Sequence, residues 1–191
     1  MRTELRSIQQ RVGITFIYIT HDQGEALTMS DRIAVMSAGI IQQVGDGTTI
    51  YNNPSTAFVA SFVGENNPFQ GTVTNADGDY AVIESKFGPL RGRNTQGLKD
   101  GQDAILFVRP EALTLPNGVQ QADNVIESVV TNEEFEGHFM KLHFKGEGAK
   151  PIGLSVTNDG SYAPPQLGET SKILFDADRA VVLPAGAMAD E

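Results

Sequence analysis

The segment ITFIYITHDQGEAL, residues 14–27, decides what kind of fold the first part of the chain can adopt. Its first half, Ile14–Ile19, is a continuous run of β-branched and aromatic residues without polar alternation. Such a run predicts a strand buried on both faces, as in a parallel sheet. Asp22 and Glu25 then stand in the D-x-x-E spacing that caps the first free amides of a helix. A helix with Leu5, Ile8 and Val12 on one face is predicted before the run, so this part is a piece of an α/β layer.

His21 is placed by this pattern at the carboxyl end of the predicted strand, directly before the predicted helix. Ligands bind at that edge in open α/β sheets. An imidazole there can donate a hydrogen bond to an anionic oxygen or orient a water molecule. From the spacing alone, a histidine that only hydrogen-bonds within a strand-to-helix turn is favoured over a ligand-binding one.

The next residues predict a hairpin, a short helix and a linker. Arg32–Met36 and Ile40–Val44 flank a Ser-Ala-Gly turn, which is typical of a β-hairpin. Pro54 precedes a short helix with Phe58 and Phe62 on one face. Residues 64–68, Gly-Glu-Asn-Asn-Pro, have the composition of a linker.

From Phe69 onward, short apolar runs alternate with turn residues, which predicts a small barrel or sandwich. The clearest predicted strands are Tyr80–Glu84, Ala104–Arg109, Val125–Thr131, Phe139–Phe144 and Lys172–Phe175. A weak repeat is also present. The spacing of Ile105-Leu106-Phe107, Ala112 and Leu115 recurs in Ile173-Leu174-Phe175, Ala180 and Leu183. Chance and a true duplication of a β-unit both remain open at this point.

Composition excludes several functional classes. The 191 residues are 40% hydrophobic, enough for a core, and carry 14 Lys and Arg against 24 Asp and Glu. A net charge of -10 disfavours non-specific binding to nucleic acid or to an anionic membrane. The absence of cysteine excludes disulfides, thiolate zinc sites and cysteine nucleophiles. No apolar run reaches the roughly 18 residues of a spanning helix, so we expect a soluble, cytoplasmic protein without direct membrane insertion.

The residues Thr20, His21, Asp22, Gln23, Glu25 and Ala26 match a motif of a known family. They resemble the switch-histidine region of ABC-transporter ATPases, T-H-D-Q-x-E-A, as found in importers of sugars, polyamines, ferric iron and similar solutes. Residues 30–36, 39–45, 50–54 and 58–64 resemble the segments that follow in the family. Residues 64–67 resemble the junction into the accessory TOBE domain and incline the comparison toward polyamine or iron importers. Val108-Arg109-Pro110-Glu111 resembles the V-R-P-E element of that domain.

This resemblance implies an α+β protein with two domains. Residues 1–67 would be the C-terminal remnant of the ABC ATPase domain, a truncated α/β fold. Residues 68–191 would be a TOBE-like regulatory domain, a mainly antiparallel OB-like β-barrel. By the same resemblance, His21 would contact the γ-phosphate and the attacking water in the intact protein, with ATP and Mg as cofactors.

The resemblance also implies partners and a location. These are a second copy of the chain as a homodimer and the permease subunits of the transporter, at the cytoplasmic, inner face of the cell membrane. No nucleic-acid partner is expected.

Three motifs of the family are absent from the sequence: the phosphate loop G-x-x-x-x-G-K-[ST], a signature like L-S-G-G-Q, and an apolar run ending in Asp-Glu. We therefore expect a C-terminal fragment that binds no cofactor tightly and hydrolyses no ATP alone. The predicted strand Ile14–Ile19 would lack its parallel neighbours, and pairing with a second copy would cover it. The alternatives are a free-standing regulatory or solute-sensing barrel without catalysis, and an OB barrel for nucleic acid, which the charge disfavours.

Weaker candidate sites lie in the second half of the chain. His138 and His143 are five residues apart in a strand-like stretch, which favours opposite faces and surface positions over a shared metal. For Glu133-Glu134-Phe135-Glu136 a solvated loop is favoured over a cation site.

Arg109 and Glu111 fit either a functional contact or a strand-end ion pair. Phe135, Phe139 and Phe144 could form a base-stacking platform, but core packing is favoured because interleaved positive charge is absent.

Overall fold

A computed structural model describes residues 2–116, 121–158, 160 and 164–189. The chain divides into two compact units. The N-terminal unit runs to Gly64 and also takes in the chain from Met188 onward, and the C-terminal unit is Glu65–Ala187. In the described part of the chain, no helix has the length and hydrophobicity that crossing a membrane requires.

The N-terminal unit contains four helices and one hairpin in its described residues. They are α1 (Arg2–Val12), α2 (Gln23–Met29), β1 (Ile33–Ser37), β2 (Ile40–Gly45), α3 (Gly47–Asn52) and α4 (Ala57–Phe62). A small core of Val35, Ile50, Val59 and Val63 holds the hairpin against the last two helices.

Two local predictions for this unit are confirmed. Strands β1 and β2 pair antiparallel, and the turn residues Ala38 and Gly39 have φ of 48° and 77°. Positive φ at both central residues is the type I′ geometry that matches strand twist. In the predicted short helix α4, the rings of Phe58 and Phe62 stack with centroids 5.4 Å apart.

The prediction of a buried strand over Ile14–Ile19 is wrong for this chain. These residues form no strand, and all are exposed; Ile17 retains 91% and Ile19 93% of its accessible surface. A strand is buried on both faces only when hydrogen-bonded neighbours and covering helices are present. Within the described ranges no strand pairs with this segment. The apolar side chains of Leu5, Ile8 and Val12 on α1 are exposed as well.

The C-terminal unit is built from two sheets that confirm the predicted antiparallel barrel. A closed barrel has the strand order β11-β5-β4-β3-β6, and a four-stranded sheet has the order β10-β7-β8-β9. Only the β11–β5 pairing in the barrel is parallel. The strands are β3 (Asn67–Ala76), β4 (Tyr80–Ser85), β5 (Gly88–Arg93), β6 (Asp103–Val108), β7 (Asn124–Phe135), β8 (Phe139–Phe144), β9 (Ile152–Thr157), β10 (Thr170–Phe175) and β11 (Ala180–Pro184).

The predicted linker is therefore shorter than its composition indicates. Asn67 and Pro68 already belong to β3, where they pair with Val108 and Phe107 of β6. Asn67 is buried, which places it in the barrel and not in a solvated connection.

The weak sequence repeat corresponds to a structural duplication. Strands β3–β6 and β7–β10 are arranged in the same order, third-second-first-fourth. Each first strand has an irregularity at the same place, between Val73 and Asn75 in β3 and between Val130 and Asn132 in β7. A 3₁₀ helix follows each fourth strand, Pro110–Ala112 after β6 and Ala177–Arg179 after β10.

The segments that follow these 3₁₀ helices are exchanged between the two repeats. Thr114, after the first repeat, forms a bridge with Leu174 of β10. Strand β11, after the second repeat, pairs with β6, for example Ala180 with Val108. Each repeat thus completes the other, and one continuous apolar core runs through both. Neither repeat can bury its apolar face alone.

Candidate functional site

His21 lies on an exposed turn between the extended residues 14–19 and helix α2. No hydrogen bond or ion pair joins its ring to another residue within the described ranges. The position of the imidazole therefore depends on the backbone of the turn, which is held by residues on both sides of His21.

The cap of α2 fixes this turn. Asp22 Oδ1 accepts a hydrogen bond from the backbone N–H of Glu25 at 2.9 Å, and Asp22 is the N-cap. The predicted D-x-x-E helix start is confirmed. The Thr20 hydroxyl accepts from the N–H of Asp22 at 2.9 Å and donates to Glu25 Oε2 at 3.0 Å. Tyr18 also donates to Glu25 Oε2, at 3.0 Å, so Glu25 holds the segment on the other side of His21.

Gln23 makes the longest-range contacts of the motif. Its side-chain NH₂ donates to the carbonyl oxygen of Phe62, and its Oε1 accepts from the N–H of Gly64 at 2.7 Å. Both partners lie at the end of α4, about forty residues further along the chain. These contacts could not be predicted from helical periodicity. The motif predicts only that a helix begins after Asp22.

His138 and His143 belong to the C-terminal unit. His138 is exposed in the turn before β8, and its ring centroid lies 4.2 Å from that of Phe139. His143 lies within β8, with Nε2 3.3 Å from Glu134 Oε1. No group of three or more histidine, aspartate or glutamate residues among those described could hold a metal ion.

Arg109 is buried at the end of β6, and its Nη1 donates to the carbonyl oxygen of Glu65 at 2.9 Å. Lys141 of β8 pairs with the carboxylate of the same Glu65. The two cations thus fix the first residue of the C-terminal unit. Glu111 is exposed in the following 3₁₀ helix.

Two predictions for the β7–β8 hairpin need correction. Glu133, Glu134 and Phe135 belong to strand β7 and not to a loop, because they pair with Leu142, Lys141 and Met140. Of the three phenylalanines assigned to the core, only Phe144 is fully buried, while Phe135 is 67% and Phe139 44% exposed. The hairpin runs past the buried core, so Phe135 and Phe139 near its tip stay exposed.

The residues of this chain form only part of a binding site for ATP and Mg. The sequence contains no phosphate-cradling loop, and within the switch motif His21 is the residue that the family resemblance assigns to the phosphate. These residues do not make a complete nucleotide site.

Comparison with known proteins matches both units. Residues 106–183 match the family model described as TOBE domain. The spermidine/putrescine import ATP-binding protein PotA of Rubrobacter xylanophilus is 38% identical over 186 residues, covering 96% of this chain and 48% of that protein. Its counterpart in Roseobacter denitrificans is 39% identical over 159 residues, covering 83% and 44%. PotA 1 of Pseudomonas aeruginosa is 47% identical over 116 residues, covering 60% and 31%.

A solved structure supports the fold of the C-terminal unit. The cytoplasmic molybdate-binding protein ModG, in a crystal form with molybdate bound, superposes with a TM-score of 0.53 at 17% identity. The match covers 62% of this chain and 96% of that protein. At this identity the likeness concerns the fold alone.

The chain spans about half the length of the curated relatives it matches. The alignment includes the switch-histidine turn and the barrel, in agreement with the resemblance found in the sequence. Over nearly its whole length the chain is similar to ATP-binding proteins of spermidine and putrescine import, and residues 106–183 belong to the TOBE domain family.

Proposed function

We propose that this chain is the C-terminal part of the ATP-hydrolysing subunit of an importer, and that the intact protein powers uptake of polyamines. The observation that carries the proposal is the 38% identity over 186 residues to a relative named for spermidine and putrescine import. The polyamine class follows from the names of these relatives, all of which refer to spermidine and putrescine import.

His21 is proposed to contact the γ-phosphate and to help hold the attacking water in the intact protein. ATP with Mg, when bound, supplies the phosphoryl group and neutralises part of its charge. His21 is exposed and free to meet a ligand, while Asp22 and Glu25 hold the backbone on either side of it. A hydrogen-bond donor at this position would stabilise negative charge that develops on a phosphate oxygen.

The two units are proposed to correspond to two domains, 1–67 as the ATPase remnant and 68–191 as the regulatory barrel. The barrel would serve regulation and contact with a second copy, and the intact subunit would bind permease subunits at the inner face of the membrane. The exposed apolar side chains Ile17 and Ile19 support the need for a protein neighbour in the N-terminal unit.

A chimera tests this function. The N-terminal half of the Rubrobacter xylanophilus relative is joined to this chain and expressed with the matching permease in cells that lack polyamine uptake. We expect uptake of labelled spermidine above that of cells carrying the N-terminal half alone. A folded chimera that assembles with the permease but supports no uptake would contradict the proposal and favour a regulatory barrel without catalysis.

A further inference from the structure

We propose that Gln23 is a positioning residue that couples the His21 turn to the peptide bond joining the two units. This proposal rests on the proposed function only for the role of His21 in ATP hydrolysis. The coupling itself is measured without nucleotide. The connection Gly64–Glu65 is held from both sides, and Gln23 is the residue that holds it on the side of His21.

On the N-terminal side, the amide of Gln23 bonds both the carbonyl of Phe62 and the N–H of Gly64. These groups lie at the end of α4, where a helix leaves its last carbonyls without intrahelical partners. Gly64 has φ of 67°, the left-handed conformation that glycine adopts without strain. The chain therefore leaves α4 in a fixed direction, with its last turn attached to the first residue of α2.

On the C-terminal side, the very next residue is held by two cations. Buried Arg109 binds the backbone carbonyl of Glu65, and Lys141 binds its carboxylate. The Lys141 side chain is only 19% exposed, so the ion pair is better shielded than a surface pair. Glu65 is thereby fixed to β6 and β8 of the C-terminal unit.

The other end of the barrel also returns to α4. After β11 the chain re-enters the N-terminal unit, and the N–H of Ala189 donates to Ser61 Oγ at 2.8 Å. Ser61 in turn donates to the carbonyl of Ala57 at 2.9 Å. Within the N-terminal unit, α4 therefore binds Ala189 through Ser61 and Gln23 through Phe62.

A displacement of Glu65 must move the Gly64 N–H, because one peptide bond joins them. Gln23 then has to follow Gly64 or lose that hydrogen bond. Gln23 lies directly after Asp22, whose side chain caps the N–H of Glu25 and whose backbone accepts from Ala26 at 3.1 Å. The exchange of these two amide hydrogens reports on the geometry of the turn that carries His21.

Amide hydrogen exchange of the 191-residue chain, followed by NMR, tests the coupling. Lys141→Met removes the pair with Glu65, and we expect exchange at Gly64, Glu25 and Ala26 to accelerate about two- to fivefold, the range a partly exposed ion pair supports. Lys172→Met is the matched control, because it removes the Lys172–Glu127 pair between β10 and β7. It should leave those three amides unchanged.

Gln23→Ala removes the acceptor of the Gly64 N–H and should itself accelerate exchange there. In this background, Lys141→Met should add nothing at Glu25 and Ala26. Unchanged exchange at Glu25 and Ala26 in Lys141→Met, an equal effect of Lys172→Met, or an effect that persists in Gln23→Ala would each overturn the coupling. If Lys141→Met does not fold, Glu65→Gln repeats the test. The Glu65 side chain is 65% exposed, so this substitution is tolerated more easily. If His21 had no role in ATP hydrolysis, the same exchange results would still be expected.

Discussion

The side chain of Asn67 forms two hydrogen bonds with the backbone of Gly153: Nδ2 donates to the carbonyl and Oδ1 accepts from the N–H, each at 2.8 Å. Asn124 makes the equivalent pair with Arg91, accepting at 2.6 Å and donating at 2.9 Å. The first strand of each repeat thus bonds the third strand of the other. These reciprocal bonds join the two halves of the duplicated barrel, in addition to the exchanged segments.

Removing either asparagine should weaken the barrel. Asn67→Ala removes the partners of the N–H and carbonyl of buried Gly153, and Asn124→Ala removes those of partly buried Arg91. We expect each to lower the free energy of unfolding by about 1–3 kcal/mol. Urea denaturation followed by circular dichroism measures the change.

The exposed Asn75 of β3 provides the matched control. Asn75→Ala should change the free energy of unfolding by no more than about 0.5 kcal/mol. Equal stabilities for the Asn67→Ala and Asn75→Ala proteins would show that the reciprocal bonds do not hold the repeats together.

Gly92 of β5 is required for barrel closure. A Cβ there would lie 3.1 Å from Val182 Cγ2 and 3.2 Å from Leu106 Cδ1. Gly92→Ala should therefore destabilise the barrel, by about 1–3 kcal/mol as for other overpacked cores. Thermal unfolding by calorimetry measures the loss.

Gly153, in the equivalent strand β9, is the natural comparison. Its nearest neighbour to an added Cβ is Lys141 Cε at 3.7 Å, an ordinary contact. Gly153→Ala should be neutral or slightly stabilising, because alanine loses less backbone entropy on folding. If both variants lost stability to the same degree, close approach at Gly92 would not be the cause.

The exposed segment Ile14–Ile19 should make the isolated chain self-associate at tens of micromolar. Replacing Ile17 and Ile19 with lysine removes the two most exposed apolar side chains and adds repulsive charge. We expect the double variant to scatter light as a monomer with an unchanged melting temperature. Thr15→Lys, in the same segment, should reduce association less. A wild-type chain that stays monomeric at these concentrations would contradict this account.

The pKa of Tyr80 is raised above its ordinary value, first because its hydroxyl donates to Asp178 and then through desolvation and the charge of that carboxylate. A raised folded pKa favours the neutral phenol. The bond to Asp178 therefore stabilises the fold below the ordinary tyrosine pKa and is lost as the pH rises through the folded value. Absorbance titration against Tyr80→Phe should show this phenol ionising above the ordinary tyrosine pKa. Asp178→Asn should move it back, and an unchanged titration would disprove the pairing.

Sequence patterns predicted the parts of the fold that depend on local chemistry. The turn Ser37–Gly39, the cap at Asp22 and the strand Phe139–Phe144 all follow from alternation, capping and glycine placement. Ile14–Ile19 was misassigned because a buried strand depends on neighbours that the described chain does not contain.

Long-range contacts were beyond these patterns. The apolar side chain of Phe135 predicts a core position. Its exposure depends on where the β7–β8 hairpin extends beyond the core, which the sequence pattern does not show. A further repeat signal, Val-Thr-Asn at 73–75 and again at 130–132, marks the irregularity of both first strands and would have strengthened the duplication. Nothing in the spacing of Gln23 predicted its contacts with residues 62 and 64.

ATP hydrolysis by the chimera with the Rubrobacter xylanophilus N-terminal half tests most directly whether His21 serves phosphoryl transfer. His21→Ala should lower the hydrolysis rate by about 10²–10³-fold, the cost of losing one preorganised donor, while ATP affinity stays the same. His138→Ala, at the other exposed histidine of the chain, should leave the rate unchanged. Hydrolysis by the His21→Ala chimera at the rate of the unmodified chimera would contradict the assignment.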